Sequence, residues 1–149
     1  MNDPVAILKR DHREVAQMLK TLEASKPGAR RRQTVEKLTQ ALQLHMEIEE
    51  RDIYPVVQRV VGNEEAEEAA VEHRLAREGL SDLQRLVDAP GFGAVVAMLT
   101  AGIKHHVKEE EQEVFPELKR KIDRDQLAAL GDSVAAAKKP QRSRRRVAA

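Results

Sequence analysis

Two stretches of this chain share one frame. His45-Met46-Glu47-Ile48-Glu49-Glu50-Arg51-Asp52-Ile53-Tyr54-Pro55 and His106-Val107-Lys108-Glu109-Glu110-Glu111-Gln112-Glu113-Val114-Phe115-Pro116 both read H-x-x-x-E-E-x-x-x-(aromatic)-P, 61 residues apart. A histidine and a glutamate four residues apart lie on one face of a helix, where an imidazole nitrogen and a carboxylate oxygen can reach the same metal ion. The same offset pairs His12 with His73, Leu19 with Leu80, Leu22 with Leu83, Val35 with Val96, Leu38 with Leu99 and Leu42 with Ile103. The chain is therefore a tandem repeat in which each copy carries two histidines and one glutamate in register. His12, His45, Glu49, His73, His106 and Glu110 are the candidate metal ligands.

The elements that must position them are helices. Apolar residues recur every three or four positions, and each candidate falls on such a seam. The seams are Leu8, His12, Val15, Leu19, Leu22; Val35, Leu38, Leu42, His45, Glu49, Val56; Ala69, His73, Ala76, Leu80, Leu83, Val87; and Val96, Leu99, Ile103, His106, Glu110, Val114. Asp3 and Pro4 predict the start of a first helix running to about Ala24, which Lys26-Pro27-Gly28 stops. A second helix is expected from about 29–33 to 61, with a kink at Pro55 because proline cannot donate to the carbonyl four residues back. A third is expected over 64–87 and a fourth over 92–121 with a kink near Pro116, followed by a short helix over 124–137. With no β pattern and short connections, the expected fold is all-α, an up-down-up-down four-helix bundle.

A single histidine on an apolar face is most often an ordinary core residue. Here four imidazoles and two carboxylates share one layer, and burying them without a compensating cation would cost several kcal/mol per charge. Metal ions remove that penalty. With no cysteine in the chain, the ligands must be imidazole and carboxylate alone, which suits iron, manganese or zinc.

The 149 residues suit one domain, over 1–122, with the short helix at 123–137 and a basic tail at 138–149. The formal charge is +1, but Lys138, Lys139, Arg142, Arg144, Arg145 and Arg146 leave residues 1–137 at −5. Such a tail is expected to be disordered. Lacking interleaved aromatics, it offers nucleic acid only non-specific contact. No apolar run approaches a membrane span and no signal pattern opens the chain, so a soluble, cytoplasmic protein is expected.

The order H…H-x-x-x-E…H…H-x-x-x-E, met by His12, His45, Glu49, His73, His106 and Glu110, resembles the hemerythrin-like proteins of the HHE cation-binding family over roughly residues 4–120. The resemblance implies two iron ions in an oxo- or hydroxo-bridged centre, one held mainly by the histidines of each half, with Glu49 and Glu110 as bridging carboxylates. It also implies a small ligand: dioxygen, peroxide or nitric oxide. The oxygen-carrying members have a further histidine where this chain has Arg77, and they end the fourth motif H-x-x-x-x-D. Two six-coordinate metals present ~12 places, of which these ligands and a bridging oxygen fill ~10. Peroxide disproportionation or oxidant defence is therefore expected rather than reversible oxygen carriage. The alternative is a non-enzymatic iron or oxygen sensor whose tail contacts a partner or nucleic acid.

Tyr54 is the candidate for an open place, since some bacterial members that this chain resembles bind iron through a tyrosine just before this proline. Its repeat partner Phe115 lacks the hydroxyl. In a straight helix Tyr54 lies about 140° round from Glu49, so only a distortion before Pro55 brings it in. The alternative is a core tyrosine. His105 is off the seam and is expected to flank the site. Glu50 and Glu111, about 100° off the ligand face, are expected to pair with charges or orient a histidine. Asp52 and Glu113 could line an entrance. Arg30-Arg31-Arg32 reads as solvated helix exterior.

Overall fold

The computed structural model describes residues 2–140 and is all-helical, with no strand among them. The elements in order are α1 (Pro4–Glu23), α2 (Ala29–Ile48), a π-helical turn (Glu49–Ile53), α3 (Tyr54–Val60), α4 (Asn63–Arg85), α5 (Phe92–Glu109), a second π-helical turn (Glu110–Val114), α6 (Phe115–Lys121) and α7 (Arg124–Lys138). The Asp3 carboxylate accepts from the Val5 amide at 2.9 Å, with Pro4 at the first helical position. Gly28 and Gly91, with φ of 142° and 96°, open α2 and α5 in backbone conformations that other residues rarely adopt. Among the described residues, no helix is long and apolar enough to cross a membrane.

Both kinks expected at the prolines are π-helical turns. The amides of Tyr54 and Phe115 donate to the carbonyls of Glu49 and Glu110, five residues back. Widening the turn by one residue relieves the crowding that a proline ring imposes on the preceding turn. It also shifts the seam. Ile53 and Val57 are buried, whereas Val56, expected in the core, is only partly buried.

Two apolar clusters fill the interior. One joins Val5, Leu8, Ile48, Ile53, Val57, Val114, Phe115 and Leu118; the other joins Val15, Leu19, Leu38, Leu42, Met46, Leu80, Leu83 and Leu99. The buried histidines of α1, α2, α4 and α5, and the buried glutamates that open the two π-helical turns, fall between them. The polar layer is thus sealed by apolar side chains at either end.

Three expectations about charges are corrected. Arg31 is buried, with its guanidinium 4.1 Å from the Phe92 ring centroid and bonded to Ser25 and the Val87 carbonyl. Asp52 pairs with Arg51 and accepts from Ser133 of α7, so it ties α7 down instead of lining an entrance. Lys138, expected in the tail, ends α7 and reaches Asp11 of α1 at 2.6 Å. Of the expected tail, 141–149 lies outside the described residues.

Candidate metal centre

The six predicted ligands meet in that layer, each with at most a tenth of its surface exposed. His12 Nε2 lies 3.1 Å from Glu110 Oε1, and His106 Nε2 lies 3.2 Å from the same oxygen. His45 and His73 place Nε2 at 3.3 and 3.1 Å from Glu49 Oε1, with His106 Nε2 at 3.6 Å. Two groups of atoms each lie within 4.8 Å of one another: His12, His45, Glu49 and Glu110 in one, and Glu49, His73 and His106 in the other. Glu49 belongs to both.

Whether a metal suits these residues is tested by their unmet hydrogen bonds. His12 Nε2, His45 Nε2, His106 Nε2, Glu49 Oε2 and Glu110 Oε1 are buried without a hydrogen-bond partner. Orphaned buried polar atoms are costly and rare, and five in one layer facing each other mark a place for a cation. The spacing agrees: donors about 2.1 Å from one ion and at right angles around it sit about 3 Å apart.

The outward nitrogens are all held. Nδ1 of His45 lies 2.9 Å from Asp11 Oδ2, and Nδ1 of His106 lies 2.8 Å from Glu72 Oε1. Nδ1 of His12 lies 2.7 Å from Glu111 Oε2, and Nδ1 of His73 lies 2.7 Å from Glu50 Oε2. A carboxylate on Nδ1 keeps the proton there and leaves the Nε2 lone pair for a metal. Glu50 and Glu111 thus take the orienting role read from their recurrence, each crossing to a histidine of the other half. Asp11 and Glu72 were missed. They too are 61 residues apart, each immediately before the first histidine of its half, so the repeat contained the signal. Asp11 also accepts from Lys138, and Glu50 takes both guanidinium nitrogens of Arg77 at 2.8 and 2.9 Å.

Electrostatics follow from this packing. Burial opposes charge on His45, but Glu49, Asp11 and Glu110 outweigh it and push the imidazole up to about 10. Burial likewise opposes charge on His106, and Glu110, Glu49 and Glu72 carry its imidazole well above the ordinary range. Burial also works against ionised Glu49, yet His45, Glu110 and His106 hold it well below the usual carboxylate range. Without metal, the imidazolium charges of His45 and His106 are set against the carboxylate of Glu49 in one layer. Metal uptake must displace those protons.

Tyr54 does reach the site. The π-helical turn narrows the angle between residues five apart, and the Tyr54 hydroxyl donates to Glu110 Oε2 at 2.5 Å. Burial and the charges of Glu110 and Glu49 hold the phenol protonated in this arrangement. The Tyr54 ring meets His73 edge-on at 5.9 Å, while Phe115 stacks on His12 at 6.1 Å. His105 is largely exposed and pairs with Glu109 at 2.9 Å, outside the ligand layer. Glu113 lines a small acidic recess that also meets Tyr54, Glu72, His106 and Glu110.

No curated protein and no solved structure gives a significant match to this chain. A family model does, described as the hemerythrin HHE cation binding domain, and it matches residues 3–118, which span both halves of the repeat and all six converging side chains. The chain belongs to the hemerythrin HHE cation-binding domain family.

Proposed function

We propose that the chain is a non-haem di-iron protein whose centre binds dioxygen, peroxide or nitric oxide, with peroxide disproportionation or oxidant defence as its leading activity. The observation that carries this reading is the inward convergence of four imidazole Nε2 atoms on Glu49 and Glu110 while every Nδ1 is held from outside. His12, His45, Glu49 and Glu110 would hold one iron, and His73, His106 and Glu49 the other. When bound, such a pair supplies the two-electron change required by 2 H₂O₂ → O₂ + 2 H₂O. The chain's own residues fix the tautomers, exclude bulk water through the apolar clusters on either side, and hold a proton on Tyr54 beside the centre. Tyr54 is also the candidate for an open coordination place. Glu110 Oε2 is the base that would take its proton. The up-down-up-down arrangement of the four long helices, the domain over 1–122 and a cytoplasmic setting belong to the same reading.

Metal analysis and an optical spectrum of protein purified in air test the centre. About two irons per chain with oxo-to-iron bands are expected; zinc alone would refute the redox reading. Added peroxide should be consumed many times over with oxygen released.

One observation favours a sensor instead. Lys138, at the end of a helix beyond the matched span, grips the carboxylate that orients His45. Metal occupancy would then be transmitted to the C-terminal segment. A single equivalent of peroxide consumed, with a lasting spectral change, is the result that supports this second reading.

A further inference from the structure

Beside the buried centre, α4 and α5 bring together a second group of metal-ligating side chains. Glu68 and Glu72 are four residues apart on α4, His105 and Glu109 four apart on α5, and each offers one atom within 4.8 Å of the others. His105 Nε2 lies 2.9 Å from Glu109 Oε1 and 3.6 Å from Glu72 Oε2. Three carboxylates and an imidazole form a mixed set that suits divalent iron, manganese or zinc more than calcium or magnesium, which prefer oxygen alone. The His105 and Glu109 side chains are 62% and 27% exposed, so an ion held here can exchange with solvent.

The repeat supplies a comparison. Sixty-one residues earlier, Glu68, Glu72, His105 and Glu109 correspond to Ile7, Asp11, Leu44 and Ile48. In the first half the three apolar members pack into the cluster that holds Leu127, Leu130 and Val134 of α7, and Asp11 receives the Lys138 ammonium at 2.6 Å while orienting His45. Glu72 likewise orients His106, through Oε1 at 2.8 Å, but among the described residues it has no lysine or arginine partner. Where the first half has a built-in cation, the second has a donor set open to one from solution. The lack of a covering helix accounts for polar side chains at these positions. It does not account for three of one sign, since neighbouring carboxylates repel.

The set also opens inward. Glu68, Glu72 and Glu109 line a recess of about 100 Å³, roughly three water volumes, whose described lining includes seven glutamates and no lysine or arginine. Its inner wall is Glu110 and His106. Glu110 is 1% exposed and its Oε1 has no hydrogen-bond partner; His106 Nε2 is likewise buried and unpartnered. A cleft lined by one sign of charge concentrates counter-ions and speeds their arrival about 10–10³-fold.

We propose that Glu68, Glu72, His105 and Glu109 form a further cation site, at which a divalent ion is held before it passes along the acidic recess to Glu110 and the buried centre. Glu72 touches both ends of that path, with one oxygen toward His105 and the other on His106. The loading role rests on the metal-centre reading above; the site itself does not.

The test compares the metal-free full chain with the double variant Glu68→Gln/Glu109→Gln, neither residue being a ligand or an orienting group of the centre. Manganese(II) titration, read by electron paramagnetic resonance, counts sites, and anaerobic ferrous iron uptake, stopped at timed intervals with a chelator, gives the loading rate. The variant should bind one manganese fewer than the wild type and take up iron at least tenfold more slowly, to the same final content and without a lower melting temperature. The same charge change at Glu14 and Glu23, exposed on α1, should leave both readouts at wild-type values. An equal manganese count in the double variant and the wild type overturns the site, and iron uptake at the wild-type rate overturns its loading role. Equal slowing in Glu14→Gln/Glu23→Gln also overturns that role, because it assigns the effect to net charge. If the wild type takes up no iron at all, the metal-centre reading fails by itself, while a manganese missing from the variant still places a cation here.

Discussion

Asp11 is where the carboxylates behind the histidines are most exposed to test. It is 5% exposed and sits between His45 Nδ1 at 2.9 Å and Lys138 Nζ at 2.6 Å. Asp11→Asn keeps the shape and removes the charge. The amide still accepts one bond, but it no longer stabilises positive character on the imidazole, and with the amide turned its NH₂ faces the Nδ1 proton. Loss of a carboxylate that orients a ligand histidine typically weakens metal binding about 10–100-fold, or about 1.4–2.7 kcal/mol. Burial puts Asp11 near the upper end, because no water can replace it. The Glu50 side chain is 40% exposed, so in Glu50→Gln water can take over part of the bond to His73, and a loss nearer tenfold is expected. Lys138→Met leaves the carboxylate on His45 and should cost less than Asp11→Asn. Chelator competition on the reconstituted proteins measures the affinities, and melting of the metal-free forms separates out folding defects. Wild-type affinity in Asp11→Asn, or a larger loss in Glu50→Gln than in Asp11→Asn, would refute the argument that buried carboxylates set the ligands.

Three further outcomes follow from the same geometry. Tyr54→Phe should keep both metals, since Phe115 occupies the equivalent place. It should cost about 1.5–3 kcal/mol of metal-free stability through the lost bond to Glu110, and it should remove any phenolate-to-iron band; an unaltered spectrum leaves Tyr54 as the donor to Glu110 alone. His45 in the metal-free protein has its pKa raised from 6.5 to about 10, so its contribution is complete below about pH 6.5 and lost as pH rises through 10, while the lowered Glu49 and Asp11 contribute above about pH 4.5. Metal-free melting temperatures should therefore peak between pH 5 and 6.5, and equal values at pH 6 and pH 10 would contradict the charge pairing described above. His105→Ala should retain wild-type metal content and His106→Ala should not; the opposite pattern would put the register of α5 in error.

Much of the centre was legible because one offset relates all six inward side chains, and helical spacing alone places them on four apolar seams. What the seams could not supply were groups one residue off the face. Asp11 stands beside His12 but points about 100° away, so a face-by-face reading passes over it. That angle is what lets it reach His45 on the next helix. Val56 was misplaced for a related reason, since the π-helical turn adds one residue before Pro55 and moves the buried position to Val57. Arg31 gave no signal in a run of three arginines, because its place is fixed by Phe92, 61 residues further on. Lys138 lies 127 residues from Asp11, with no period connecting them.

The two halves use different means to the same electrostatic end. In each group of converging ligands, one histidine is backed by a carboxylate that is itself paired with a cation: His45 by Asp11 and Lys138, His73 by Glu50 and Arg77. The other histidine of each group, His12 or His106, is backed by Glu111 or Glu72, for which no lysine or arginine is paired among the described residues. The sequence repeat does not supply this balance, since Arg77 has Ala16 as its partner and Lys138 lies beyond the second copy. A cation on one side comes from α4 and on the other from a helix outside the matched span. α7 is therefore part of what keeps the two positions electrically alike, and removing Lys138 should make them unequal in their hold on metal. Stepwise loss of metal from Lys138→Met under chelator, against a single phase in the wild type, is the expected sign.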